Sequence, residues 1–349
     1  MKRIALGVLL LAATAATTEA HHSRAQFQLD QVTPMKVTIT RVRWSNPHVF
    51  YGGTVVNDKG VAEDWVFEGH SITGLVRLGW NADLIKVGDR VDMMVNRHRD
   101  PTERFALLDH VILANGKTYY SVGIPPANAV ARRPPIEPSK DFSGNWRFKF
   151  PGTPEEVRRR VLLGFGGPRQ DLPYTDVARA QAAKYDPKKA PALTCEPISM
   201  PGILMTVYEY KWKRYPDRIV IEKEQYTDMT RTIWLNRTTP PADYKPNPMG
   251  FSVGRFEPDG TFVVETTRFS PVRWGNHASV DSSDKKKIVE RYKLIDGGMG
   301  LSLTYTQEDP VYFTAPVSAS GTFTKSYNSE FVKQPPCDLE AAGEHLHYK

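Results

Sequence analysis

Over most of this chain, apolar and polar residues alternate with a period of two, the pattern of strands buried on one face. Lys36–Trp44, carrying Val37, Ile39, Val42 and Trp44, reads as a first strand. Val49–Val56 and Glu63–Glu68, the latter with Trp65 and Phe67, read as the second and third. Ser71 can then cap a short helix through Leu78, with Ile72, Leu75, Val76 and Gly79 at helical spacing. Arg90–Arg97 and Leu107–Leu113 supply two more strands. Three strands, a helix and two strands is the order of an OB-type barrel. Beyond residue 140 the alternation resumes. Asp141-Phe142-Ser143-Gly144-Asn145-Trp146 opens a strand, and Thr153-Pro154-Glu155-Glu156 is a helix start with Thr as cap. A second helix is expected over Tyr174–Lys184. Strands are expected over 203–212, 217–225, 230–236, 251–257, 261–268, 286–295, 300–307 and 317–327, with turns such as Asp259-Gly260 and Asp296-Gly297-Gly298 between them. About eight antiparallel strands closing on themselves is the architecture this implies.

Two stretches break the alternation. Met1-Lys2-Arg3 is basic, Ile4 to Ala13 is an apolar run, and Thr18-Glu19-Ala20 fits the small-x-Ala rule for signal peptidase. About ten apolar residues are too few to span a bilayer, so a signal peptide over 1–20 and cleavage near Ala20 are expected. No later segment has 18 uninterrupted apolar residues, and a periplasmic or secreted soluble protein without a transmembrane segment follows. Residues 124–140 hold five prolines without periodicity, which marks a semi-rigid linker. The expected layout is 1–20 signal peptide, 21–123 OB-like domain, 124–140 linker, 141–338 barrel domain and 339–349 tail.

Composition refines this picture modestly. The 349 residues are enough for about two domains. A formal charge of +7 loses two positives and one negative with the signal peptide, leaving +6, too diffuse to imply nucleic acid. Although OB barrels often bind oligonucleotides, an exported chain rarely meets them, so no nucleic-acid partner is expected. Two cysteines exclude a disulfide-dense scaffold and a four-cysteine zinc site. In an oxidising compartment Cys195 and Cys337 are expected to pair, which is worth about 5 kcal/mol in the chain-entropy model; two buried thiols are the alternative.

Three constellations carry candidate chemistry. Cleavage after Ala20 would make His21 the N-terminal residue, whose amine and ring nitrogen suit Cu(II). His48 and His70 are candidate third ligands, and His22 could substitute for one of them; the alternative is a solvated terminus. Copper is thus the only cofactor considered. Second, Tyr208, Tyr210, Trp212, Trp234, Phe256, Trp274 and Tyr292, with Tyr226, Phe262, Phe269 and Tyr305, supply aromatics for a barrel interior able to hold a small hydrophobic or aromatic ligand. An ordinary packed core is the alternative. Third, Glu209, Asp228, Arg231, Arg255, Glu265, Arg268, Glu290 and Arg291 fall in barrel strands, and a carboxylate–Arg pair inside could serve acid–base chemistry, assisted by Tyr226 or His277. The alternative is outward, solvated charge, with Arg231 and Arg255 the first candidates for an inward cluster. The chain has no Gly-x-Ser-x-Gly elbow, P-loop, dinucleotide fingerprint or His-Glu-x-x-His. Binding or processing of a small apolar molecule is the leading expectation. A copper-binding N-domain and a cofactor-free isomerase, lyase or hydrolase are the alternatives.

Several motifs resemble known sequences. His21-His22-Ser23, Trp44-Ser45-Asn46-Pro47-His48, Trp65-Val66-Phe67-Glu68-Gly69, Leu78-Gly79-Trp80 and Val87-Gly88-Asp89 resemble an uncharacterised family of exported bacterial proteins, a domain of unknown function. Gly144-Asn145-Trp146 resembles the opening of lipocalin-type barrels, so the second domain is expected to be lipocalin-like. Arg231-Thr232-Ile233-Trp234, Ser252-Val253-Gly254-Arg255-Phe256, Val289-Glu290-Arg291-Tyr292 and Glu308-Asp309-Pro310 resemble a partner domain found beside that family. Phe251 departs from the pattern, which has His before Ser-Val-Gly. The resemblance implies export and architecture; it implies no general activity.

Overall fold

A computed structural model describes residues 24, 26–123, 135–152, 168–196, 198–206, 208–224, 230–327 and 331–343. The protein is mainly β, with an OB-like barrel followed by a larger lipocalin-like barrel. In the first, β1 (Thr33–Arg43), β2 (Phe50–Val56) and β3 (Ala62–Glu68) form a meander, α1 (Ile72–Arg77) follows, and β4 (Arg90–Arg97) and β5 (Phe105–Ile112) complete the wall. A parallel β3–β5 pairing closes the ring, and β6 (Thr118–Tyr120) extends it at β5. Val37, Ile39, Tyr51, Trp65, Phe67, Met93, Val95 and Leu108 fill the interior. The Ser71 hydroxyl caps α1 by accepting from the Gly74 N–H, as expected from the sequence.

The second barrel has nine strands. β7 (Gly144–Lys149), β8 (Glu209–Arg214), β9 (Arg218–Lys223), β10 (Arg231–Trp234), β11 (Phe251–Phe256) and β12 (Phe262–Thr267) lead, after the hairpin β13 (Val272–His277) and β14 (Val280–Ser282), to β15 (Lys287–Ile295), β16 (Gly300–Glu308) and β17 (Val317–Ser326). β17 pairs with β7 to close the ring. One pair, β10–β11, is parallel, because residues 235–250 carry the chain back to the end where β10 began. The expected strand over 203–212 starts only at Glu209; Gly202–Met205 is a turn of 3-10 helix laid across one mouth of the barrel. The second expected helix is α2 (Asp176–Ala182). The helix start at Thr153 and the signal peptide lie outside the described residues.

The chain's end ties the two barrels together. The Gln334 N–H donates to the Glu224 carbonyl (3.1 Å) of the second barrel. Asn46, in the Trp-x-Asn-Pro-His segment of the first, donates to Pro335 O (3.0 Å) and accepts from the Asp338 N–H (3.2 Å). α3 (Leu339–Gly343) then buries Ala341 among Phe27, Phe50, Phe105 and Leu107. The Cys195–Cys337 disulfide fastens this strap to the loops before β8.

Candidate functional site

Alternation decides which side chains enter the larger barrel. On β9, Ile219, Ile221 and Lys223 face inward and are buried. Tyr210 lies directly across from Lys223 on β8, and Trp212 across from Ile221. β10 adds Arg231 opposite Ile221, and Glu290 and Tyr292 come from β15. The lumen is therefore apolar with a few convergent polar groups. Ile203, Leu204, Trp212, Ile221, Met249 and Phe323 line a void of about 10 Å³ beside Tyr210, Lys223, Arg231 and Tyr292. That is room for one water, so the wall is packed almost to contact.

Two polar clusters occupy this lumen. Arg231 is 2% exposed and donates to Ser252 Oγ (3.0 Å), Thr266 Oγ1 (2.8 Å) and, through both terminal nitrogens, to Glu290, with the NH1 bond at 2.9 Å. Tyr292 donates to the same carboxylate. Burial works against the Arg231 charge, but the Glu290 carboxylate offsets it and holds the guanidinium above its ordinary pKa. Because both Glu290 oxygens are taken, this carboxylate positions Arg231 and is not arranged as a free base. The second cluster is Lys223, 4% exposed, whose Nζ donates to Ile203 O (2.7 Å) and Thr206 Oγ1 (3.2 Å) and lies 4.6 Å from the Tyr210 ring centre. The Tyr210 hydroxyl donates to the same Ile203 carbonyl (2.6 Å). Burial drives Lys223 well below the usual lysine pKa and Tyr210 above the usual tyrosine pKa.

Of the residues singled out from sequence, Tyr210, Trp212, Arg231, Glu290 and Tyr292 meet in the lumen. Others do not. Arg255 is exposed, one step out of register with the inward Gly254. Phe256 is 38% exposed at the mouth opposite Lys223, stacked on Phe262 under Arg214. Trp234 lies half-buried between Arg218 and Arg237. Trp274 belongs to the β13–β14 hairpin and meets Tyr185, and Tyr208 is half-buried ahead of β8. Glu265 and Arg291 pair on the surface with Lys287 and Glu257, and Arg268 is exposed. His277 sits on β13, below its ordinary pKa because of burial, its Nδ1 without a hydrogen-bond partner among the described residues. Tyr226, Asp228, His21 and His22 lie outside the described residues.

Glu209 takes a different place from the one expected. It is on the outer face of β8, fully buried, and binds Arg147 (2.6 Å) and Ser326. Arg77 of α1 reaches across from the OB-like barrel to Glu209 (3.7 Å) and Glu224 (2.5 Å). The same charged seam continues into the first barrel. His48 Nδ1 is 2.7 Å from Glu68, and Arg24 is 3.9 Å from it. His70 Nδ1 accepts from the Ser71 N–H (2.7 Å), and burial, with Arg24 and His48 nearby, lowers its pKa to about 3. The rings of His48 and His70 thus each have a protein partner, and no three His, Cys, Asp or Glu among the described residues are grouped to hold a metal ion.

Lys223 escaped the sequence reading because a lysine within an apolar alternation looks like its interruption. The signal was present: Lys223 continues the Ile219–Ile221 phase by two residues. Lys286, in a run Lys285-Lys286-Lys287 that reads as a solvated turn leading into a strand, is instead 1% exposed.

Fold and site together define a two-barrel β-protein whose larger barrel has a small, apolar, polar-anchored lumen. Residues 8–105 match the model of a family of unknown function, DUF6152, which fits the uncharacterised family that the N-terminal motifs resemble. No curated protein matches the chain.

Proposed function

We propose that the larger barrel binds a small, mainly apolar or aromatic molecule bearing one hydrogen-bond acceptor. One observation carries this reading. Two donors in an apolar lumen, Tyr210 Oη and Lys223 Nζ, converge on a single acceptor position. The Ile203 carbonyl that fills it belongs to a short turn and not to the barrel wall. A guest acceptor that takes this position while the turn moves out satisfies both donors, and the space left by Ile203 and Leu204 receives its apolar body. Export belongs to the same reading, supported by the Cys195–Cys337 bridge. A mature chain beginning at His21, read by intact mass after secretion, is the expected result; retention of residues 1–20 would contradict it.

Calorimetric titration with benzoate and benzyl alcohol tests the binding. Saturable heat with Kd below about 1 mM is expected for at least one of them. Tyr210→Phe, which removes one donor and keeps the ring, should weaken it roughly tenfold. No saturable heat from either compound, or an unchanged Kd in Tyr210→Phe, would overturn the reading.

A further inference from the structure

Two lysines are buried in this half of the molecule, and their surroundings differ in kind. Lys286 Nζ donates to Ser199 Oγ (3.0 Å), Met200 O (2.7 Å) and Gly275 O (3.0 Å), so all three of its protons serve to join loops. It does not line the lumen. Lys223 does, and its acceptors are Ile203 O, on the turn at 202–205, and Thr206 Oγ1, on the residue that follows it. No carboxylate among the described residues lies within ion-pair distance of Lys223. Removal of the turn would therefore leave an amine facing an apolar pocket, with a phenol beside it and, among the described residues, no ion-paired carboxylate.

Resting on the lumen reading, we propose that Lys223 captures aldehydes or ketones covalently, as a Schiff base formed inside the larger barrel. A carbonyl oxygen in the place of Ile203 O accepts from Tyr210 Oη, and its carbon lies next to Nζ. The Nζ lone pair attacks that carbon, the π electrons pass to oxygen, and one N–H proton transfers to it to give a carbinolamine. Loss of the hydroxyl with the second N–H proton releases one water and leaves the C=N bond. Amine and carbonyl compound thus become imine and water with no net proton change. Tyr210 polarises the carbonyl, and the apolar wall keeps bulk water from the imine. The depressed lysine pKa supplies the neutral amine that attack requires.

The test is reductive trapping. Full-length, disulfide-closed protein is incubated at neutral pH with benzaldehyde and cyanoborohydride, digested, and the benzylated lysines located by mass spectrometry. Benzylation of Lys223 at least about tenfold faster than of any surface lysine is expected, because a solvated lysine is almost wholly protonated at that pH. Benzyl alcohol should protect Lys223, and Lys223→Met should lose the adduct while the slow labelling of the surface lysines stays unchanged. Label on Lys286 or the surface lysines with Lys223 unmodified would overturn the inference. If benzyl alcohol binds in the lumen while Lys223 goes untrapped, covalent capture fails and the binding reading stands. If neither occurs, both fail.

Discussion

At the scale of single residues, His70 shows how packing sets chemistry. Its ring lies against Gly74, where a Cβ would stand 2.2 Å from Nδ1, so the first turn of α1 has room for the imidazole only because position 74 has no side chain. Arg24, His48, Arg77 and Glu68 surround it, and burial dominates, holding the pKa at about 3. The unfolded chain, with an ordinary histidine pKa near 6.5, then takes up the proton first as pH falls. Stability is complete above pH 6.5 and declines towards pH 3, by up to ~1.4 kcal/mol per pH unit from this residue. His70→Asn, which can keep an acceptor for the Ser71 N–H, should flatten the thermal-melting profile between pH 6 and 4. An unchanged slope would show that His70 titrates normally in the folded protein.

Elements differ in how far the sequence reveals them. The OB-like order was legible because each piece is local: a period-two strand, a Ser71 cap, a short helix. The nine-strand ring was legible in its strands, but the parallel β10–β11 pairing depends on where residues 235–250 return, and no local signal states that. The turn at 202–205 was hidden by its own apolar residues. Ile203, Leu204 and Met205 read as the start of β8, although Pro201 and Gly202 just ahead are poor strand formers. The strap at 331–343 was hidden across the boundary at 338: its first part read as the end of the barrel domain and its last residues as a tail, because its anchor, Ala341, is small. The disulfide between Cys195 and Cys337, 142 residues apart, makes that strap part of both barrels. Cys195→Ser with Cys337→Ser should lower stability by about 5 kcal/mol in the chain-entropy limit and less if the loops relax. Limited proteolysis should then cut first within 331–343; equal resistance with and without the bridge would contradict a role for the disulfide in holding the strap.

For the whole molecule, the seam is as informative as the lumen. Arg77 crosses from α1 to two fully buried carboxylates of the second barrel, and the strap returns from that barrel to Asn46. The residues of the Trp-x-Asn-Pro-His segment are thus spent on joining barrels and on holding His48 against Glu68. Of the candidate site, the aromatics and the Arg231–Glu290 pair were readable from sequence, whereas the amine that anchors the proposed ligand was not. The central claim is that a guest replaces the turn at 202–205 inside the lumen. Hydrogen–deuterium exchange at the Ile203 and Leu204 amides, which now donate to Ser199 O (3.0 Å) and Pro201 O (2.9 Å), tests it most directly. Saturating benzoate or benzyl alcohol should speed exchange at these two amides while β8 and β9 stay protected; identical protection of 203–204 with bound guest would contradict the account.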